Sequence, residues 1–212
     1  MDDTRNKILK ATRELFLEAT PEKVTMRSIA DRCNISLGNL TYYFHKKEDI
    51  FAATFEELLL HEYARFSQFC KDGDEGPWVS FIAANYAHLK TIASADYTLN
   101  SFLYAANFSS ARASYVLVSS NLLYKCLENT AYACDRESVW IASVIGCGAE
   151  FEVINSYTIH KGRYGLEELA APCFSARMFL LGVPGGKIAG FTKKGIELGK
   201  AIEPSAYGAG LE

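Results

Sequence analysis

Thr25-Met-Arg-Ser-Ile-Ala-Asp-Arg-Cys-Asn-Ile-Ser-Leu-Gly-Asn-Leu-Thr-Tyr-Tyr-Phe44 is the stretch whose reading decides the fold. It reads as two short helices separated by a tight turn. Thr25 can cap the first, because its hydroxyl accepts an otherwise orphaned N–H two or three residues on. Val24 and Ile29 have the spacing of a hydrophobic staple. Ile29 and Ala30 then face inward, and Arg27, Asp31 and Arg32 face water. Ser36 repeats the device, with Ile35 and Leu40 as a second staple. Asn34, in the turn, is one of the few residue types that tolerates a left-handed backbone. A helix, a short turn and a polar second helix follow the pattern of a helix-turn-helix. Its exposed Leu37, Gly38, Asn39, Thr41 and Tyr42 can enter a major groove and meet base edges.

Ser36-Leu-Gly-Asn-Leu-Thr-Tyr-Tyr-Phe-His-Lys-Lys-Glu-Asp-Ile-Phe51, preceded by Thr25-Met-Arg-Ser-Ile-Ala30, resembles the DNA-binding domain of the tetracycline-repressor family. Phe44, Lys47, Glu48 and Asp49 match that family's pattern. Thr41 stands where the family usually has Tyr, and Tyr42 and Tyr43 follow it. The match covers roughly the first 50 residues. On this resemblance the DNA-contacting set is Thr25, Arg27, Ser36, Leu37, Gly38, Asn39, Thr41, Tyr42, Tyr43, His45, Lys46 and Lys47. Thr25, Arg27, Tyr43 and Lys47 are expected on phosphates, which position the protein. The exposed face of the second helix is expected at bases, which specify the site.

The 212 residues can bury a sizeable core in one or two domains. Apolar content of 49% and charged content of 22% are those of an ordinary globular chain. A net charge of −3 excludes a broadly basic coat for nucleic acid. Residues 1–50 hold nine Lys/Arg against eight Asp/Glu, and the remainder thirteen against seventeen. The first part is therefore the DNA-facing half, with Arg27, Lys46 and Lys47 supplying its basic side. Residues 1–20 are charged and amphipathic, so no signal peptide is expected. No apolar run of about 18 residues exists, so no membrane span is expected. Six cysteines (33, 70, 126, 134, 147, 173) lack any C-x-x-C pair. They read as buried thiols in a reducing cytoplasm, with neither a metal site nor a disulfide framework.

Apolar periodicity predicts further helices and no strand. The first covers 4–19, ended at Thr20-Pro21. A long one starts at Lys46 with acids in its first turn, where the helix dipole favours them, and runs to about Cys70. Lys71–Gly76 is a polar break, and Pro77 suits the start of the next helix. Asp96 is the expected cap of a short helix. Others span about 111–133, 136–161 (capped by Asp135) and 166–181, ended by Gly182-Val-Pro184. Gly185–Glu212 shows two weak helical turns around 191–202.

The fold class is thus all-α. A three-helix helix-turn-helix domain (1–47) precedes a helical effector-binding and dimerisation domain (48–183) and a C-terminal extension (184–212) of a short helix plus tail, about nine or ten helices in total. Aromatic residues crowd 51–124, and Asn85, Asn100 and Asn107 recur on apolar faces. Buried polar groups need partners, and apolar helical pockets with few polar groups suit small molecules. Phe55, Leu59, Tyr63, Phe81, Asn85, Tyr86, Phe102 and Tyr115 are the expected ligand site. Arg65, Lys90, Arg112 and Lys125 look outward, which favours a mostly apolar or aromatic ligand. The resemblance implies a four-helix dimer interface, assigned here to Trp140, Val144, Gly148, Phe151, Cys173, Phe174 and Arg177. Gly146, Cys147 and Gly148 would permit close helix approach.

No zincin, P-loop, dinucleotide or nucleophile-elbow pattern occurs, so neither an enzyme nor a cofactor is expected. The resulting expectation is a cytoplasmic homodimeric repressor that binds a palindromic operator in double-stranded DNA and is released by a small effector. The rival is a helical small-molecule binding protein or enzyme that keeps the head without regulating DNA.

Overall fold

The computed structural model describes residues 3–69 and 75–203. They form ten α-helices, a 3-10 turn at Ser67–Phe69, and no strand. The helices are α1 (Asp3–Glu18), α2 (Met26–Cys33), α3 (Leu37–Tyr43), α4 (Lys47–Phe66), α5 (Gly76–Ala93), α6 (Asp96–Ala106), α7 (Ser109–Leu127), α8 (Arg136–Ile159), α9 (Leu166–Leu180) and α10 (Gly185–Ala201). The all-α class expected from the sequence is the class observed. Residues 71–74 of the expected 71–76 break, Cys70 and the tail beyond Glu203 lie outside the described residues, and Gly76 already begins α5.

The described residues divide into two compact units, one of 3–58 with 91–115 and one of 59–90 with 116–203. This division differs from a boundary after residue 47, because 91–115 groups with the head. In the first unit, Ile8, Leu9, Ile29, Leu40, Ile50 and Phe51 have no exposed surface. Phe16 meets Phe51 edge-on at 4.6 Å. Each fully buried side chain of this kind stabilises by roughly 1.5–3 kcal/mol. The Arg32–Glu18 pair between α2 and α1 is solvent-screened and adds little. Apolar burial therefore holds the head together.

The second unit is centred on Phe66, Trp78, Phe81, Ile154, Phe174 and Met178. α9 continues through Pro172. That ring is exposed, so the carbonyl it leaves unbonded can meet water. α10 is longer than its sequence pattern promised, a 17-residue helix instead of two weak turns. A Cβ on Gly195 would lie 2.6 Å from Ile82, and one on Gly199 2.8 Å from the Ala83 carbonyl. These two glycines let α10 press against the α5 backbone. Lys90 Nζ donates to the Lys200 and Ile202 carbonyls at 3.2 Å, and Arg65 Nη2 to the Glu203 carbonyl at 3.0 Å. The end of α10 is thereby capped by side chains from two other helices.

Smaller expectations also change. Ala95, not Asp96, is the N-cap of α6, and it offers no side-chain bond. α7 stops at Leu127 and gives way to turns. Cys147 and Cys173 are buried, but Cys33, Cys126 and Cys134 are only half-buried. No helix among the described residues is long and apolar enough to cross a membrane.

Candidate nucleic-acid interface and ligand groove

The α2–turn–α3 stretch is built by local hydrogen bonds. Thr25 Oγ1 accepts the Ser28 N–H at 3.0 Å, and Ser28 Oγ accepts the Thr25 N–H at 2.9 Å. This reciprocal capping box starts α2. Asn34 ends it in the left-handed region (φ 54°, ψ 46°), and Ile35 N–H closes on the Ala30 carbonyl at 3.0 Å. Two residues later Ser36 Oγ accepts the Asn39 N–H at 3.1 Å and starts α3. Leu40 is wholly buried beneath it. Leu37, Gly38, Asn39 and Tyr42 stand on the outer face, Tyr42 being 80% exposed. Its ring meets Tyr43 edge-on at 5.3 Å.

Among the other expected contact residues, Thr25, Arg27, Ser36, His45 and Lys46 are exposed, and Thr41, Tyr43 and Lys47 are half-buried. Thr41 Oγ1 donates back to the Gly38 carbonyl at 3.0 Å, so its proton is used within the helix. Lys47, expected on a phosphate, has partners within the chain. Its Nζ donates to the Pro21 and Val24 carbonyls, both at 3.1 Å, and sits 4.9 Å from the Tyr104 ring centre. Two of the ammonium's three N–H donors thus hold the segment that leads into α2.

Residues 8–54 match the family described as bacterial regulatory proteins, tetR family. That segment spans most of α1, all of α2 and α3, and the start of α4. No curated protein matches the sequence. Among solved structures, a TetR transcriptional regulator from Rhodococcus sp. RHA1 superposes with a TM-score of 0.66 at 16% identity, over 84% of this chain and 96% of that one. RolR, solved with the ligand resorcinol, superposes at 0.62 with 18% identity, over 89% and 92%. The fatty acid degradation regulator FadR from Bacillus halodurans does so at 0.52 with 19% identity, over 86% and 96%. At these identities the likeness establishes the fold alone.

The expected ligand residues separate into two packed sets. Phe55, Phe102 and Tyr115 stack in the unit that holds the tetR-family match, with centroids 5.2 and 6.2 Å apart. Leu59, Tyr63, Phe81, Asn85 and Tyr86 are buried in the other unit, where Tyr63 meets Phe81 at 5.5 Å and Tyr86 lies under Gly199. The second unit also contains an open groove of about 750 Å³. Leu60, Tyr63, Ala64 and Ser67 of α4 and its 3-10 extension form one wall. Leu122, Lys125, Cys126, Asn129 and Thr130 form the other, and Pro77 closes one side. Of the expected ligand set, Tyr63 alone lines it. The sequence signal that was missed is two parallel stripes, 60/63/64/67 and 122/125/126/129, each at helical spacing. Their modest polarity hid them beside the heavier aromatic pattern. Lys125, expected to look outward, is on the groove wall.

α8 and α9 expose Trp140, Ile141, Val144 and Ile145, with Phe179 and Leu180. Of the expected interface residues, Trp140 and Val144 lie on this exposed face and Gly148 is half-exposed, with open space where a Cβ would point. Phe151, Cys173, Phe174 and Arg177 turn inward instead. Arg177 is 1% exposed, 3.1 Å from Glu150 and 5.2 Å from the Phe81 ring centre. A Cβ on Gly146 would fall 2.0 Å from Arg177 Nε, so the guanidinium occupies the space that glycine leaves. Burial opposes the Arg177 charge, but Glu150, Cys147, Cys173 and Tyr63 together outweigh it and hold the group above its ordinary range. Burial and then Glu150 push the Cys147 thiol up to about 12, which keeps it inert.

Proposed function

We propose that the chain is a homodimeric, cytoplasmic transcriptional repressor that binds a palindromic operator through α3 and is released by a small ligand. The observation that carries this reading is the capped α2–turn–α3 unit with its uncovered outer face, inside a segment that matches the tetR family. Leu37 and Tyr42 are large side chains left exposed on that face, 47% and 80%. A single seven-residue reading helix touches few bases, and a twin on the next half-site supplies the missing affinity. The apolar α8/α9 face supports such pairing, and the room beside Gly148 would admit a partner helix. Apolar side chains gathered on one helical face are a cost in water and a gain once covered.

The groove between α4 and α7 is the proposed effector site. Its volume suits a drug-sized molecule. A ligand there relieves repression only by favouring a conformation that DNA does not. An aromatic ligand is consistent with RolR, which was solved with resorcinol. Selection from random double-stranded DNA tests the reading. The expected product is a palindrome bound with steep salt dependence. Recovery of no sequence preference would leave the rival reading, a helical binding protein or enzyme that does not regulate DNA.

A further inference from the structure

We propose that the groove takes a small amphipathic monoanion, a carboxylate carried on a hydrocarbon or aromatic body. This rests on the reading of the groove as the effector site and adds the chemistry of its ligand. Leu60 and Leu122, with Pro77, supply an apolar bed. Lys125 stands on the same wall as Asn129 and makes no ion pair among the described residues. The described lining contains no Asp or Glu. One cation without a matching acid selects one negative charge: a cation gains nothing there, and a second negative charge finds no partner.

Tyr63 gives the second observation. It is 8% exposed, and its hydroxyl makes no hydrogen bond of ordinary geometry among the described residues, although the Asn85 amide is near. Burial holds the phenol well above its usual titration range, so it stays protonated and able to donate. A buried donor left without a good acceptor favours a ligand that brings one. Ser67 and Thr130 already donate to the Ala64 and Leu127 carbonyls. The exposed donors left for a ligand are therefore Lys125 and Asn129, both suited to carboxylate oxygens, and the Tyr63 hydroxyl is a buried third.

The test is calorimetric titration of the full chain, without DNA, using 4-phenylbutyrate and its uncharged isostere 4-phenylbutanamide. The carboxylate should bind about tenfold more tightly, the scale of a partly screened charge pair. Lys125→Gln should remove that preference and bring the two probes to similar affinity, with the fold kept because the side chain is exposed. Tyr63→Phe should weaken both probes. Equal binding of the two probes by the wild type, a preference that survives Lys125→Gln, or binding of neither probe would overturn the proposal. Operator release by 4-phenylbutyrate is read separately. A Lys125-dependent carboxylate preference without release would confirm the site's chemistry and remove its role as an effector site.

Discussion

Lys47 and Arg27 are both basic residues of the head, but their surroundings assign them different work. Lys47 is tied to two carbonyls before α2. Lys47→Ala should therefore lower the melting temperature while keeping the salt slope of operator binding. Arg27 is exposed and makes no ion pair among the described residues. Arg27→Ala should weaken all DNA sequences alike and reduce the salt slope by about one, with stability unchanged. Titrations at several salt concentrations, with melting curves of the same variants, separate the two. Gly38 offers a third contrast. A Cβ there would meet nothing nearer than Ser36 Oγ at 3.9 Å, so no packing in the chain demands glycine. Gly38→Ala should hold or raise stability, since Ala is worth up to about 1 kcal/mol more in a helix. Operator affinity should nonetheless fall if the backbone approaches DNA closely there. Unchanged affinity would place Gly38 away from the bases.

At the scale of elements, α3 is short and depends on its neighbours, whereas α10 depends on two glycines. α3 spans seven residues, too few to persist alone, and is held by the Ser36 cap and by Leu40 beneath it. α10 reaches α5 only because Gly195 and Gly199 lack side chains. Gly195→Ala would force its methyl into Ile82, which an overpacked contact should make about 1–3 kcal/mol less stable. Gly190→Ala is the control, because a Cβ there meets nothing within 4 Å. Urea unfolding of both variants checks this. Equal midpoints would mean that α10 does not pack as closely as its backbone implies.

The whole molecule carries two further consequences. Val144 is 45% exposed in the single chain, so Val144→Glu should leave each subunit folded. In a dimer closed over α8 and α9 it would bury an unpaired carboxylate, which is strongly unfavourable. Sedimentation should show a folded monomer with weakened operator binding, and a dimer of normal affinity would exclude this face. The second consequence is acid sensitivity. Burial lowers the pKa of His88 from the usual 6.5 to about 3, so the native chain keeps it neutral while the unfolded chain protonates it. Its stabilising contribution is complete above about pH 6.5 and is lost as the pH falls toward 3. Melting temperatures from pH 7 to 4.5 should fall less steeply in His88→Gln than in the wild type.

The sequence by itself determined what depends on near neighbours. Thr25, Asn34 and Ser36 act on backbone groups within a few residues, so the head was legible along with the tetR-family match. Helix order followed from apolar spacing for the same reason. Tertiary structure decided whatever depends on partners distant in the chain. Lys47 looked like a phosphate contact until folding placed the Pro21 and Val24 carbonyls beside it. Arg177 read as a dimer-interface residue until Glu150 and the space over Gly146 received it. α10 read as weak because its glycines lower helix propensity, a penalty that its docking against α5 outweighs. The groove was hidden because its walls come from 60–67 and 122–130, and only packing sets those two stripes face to face.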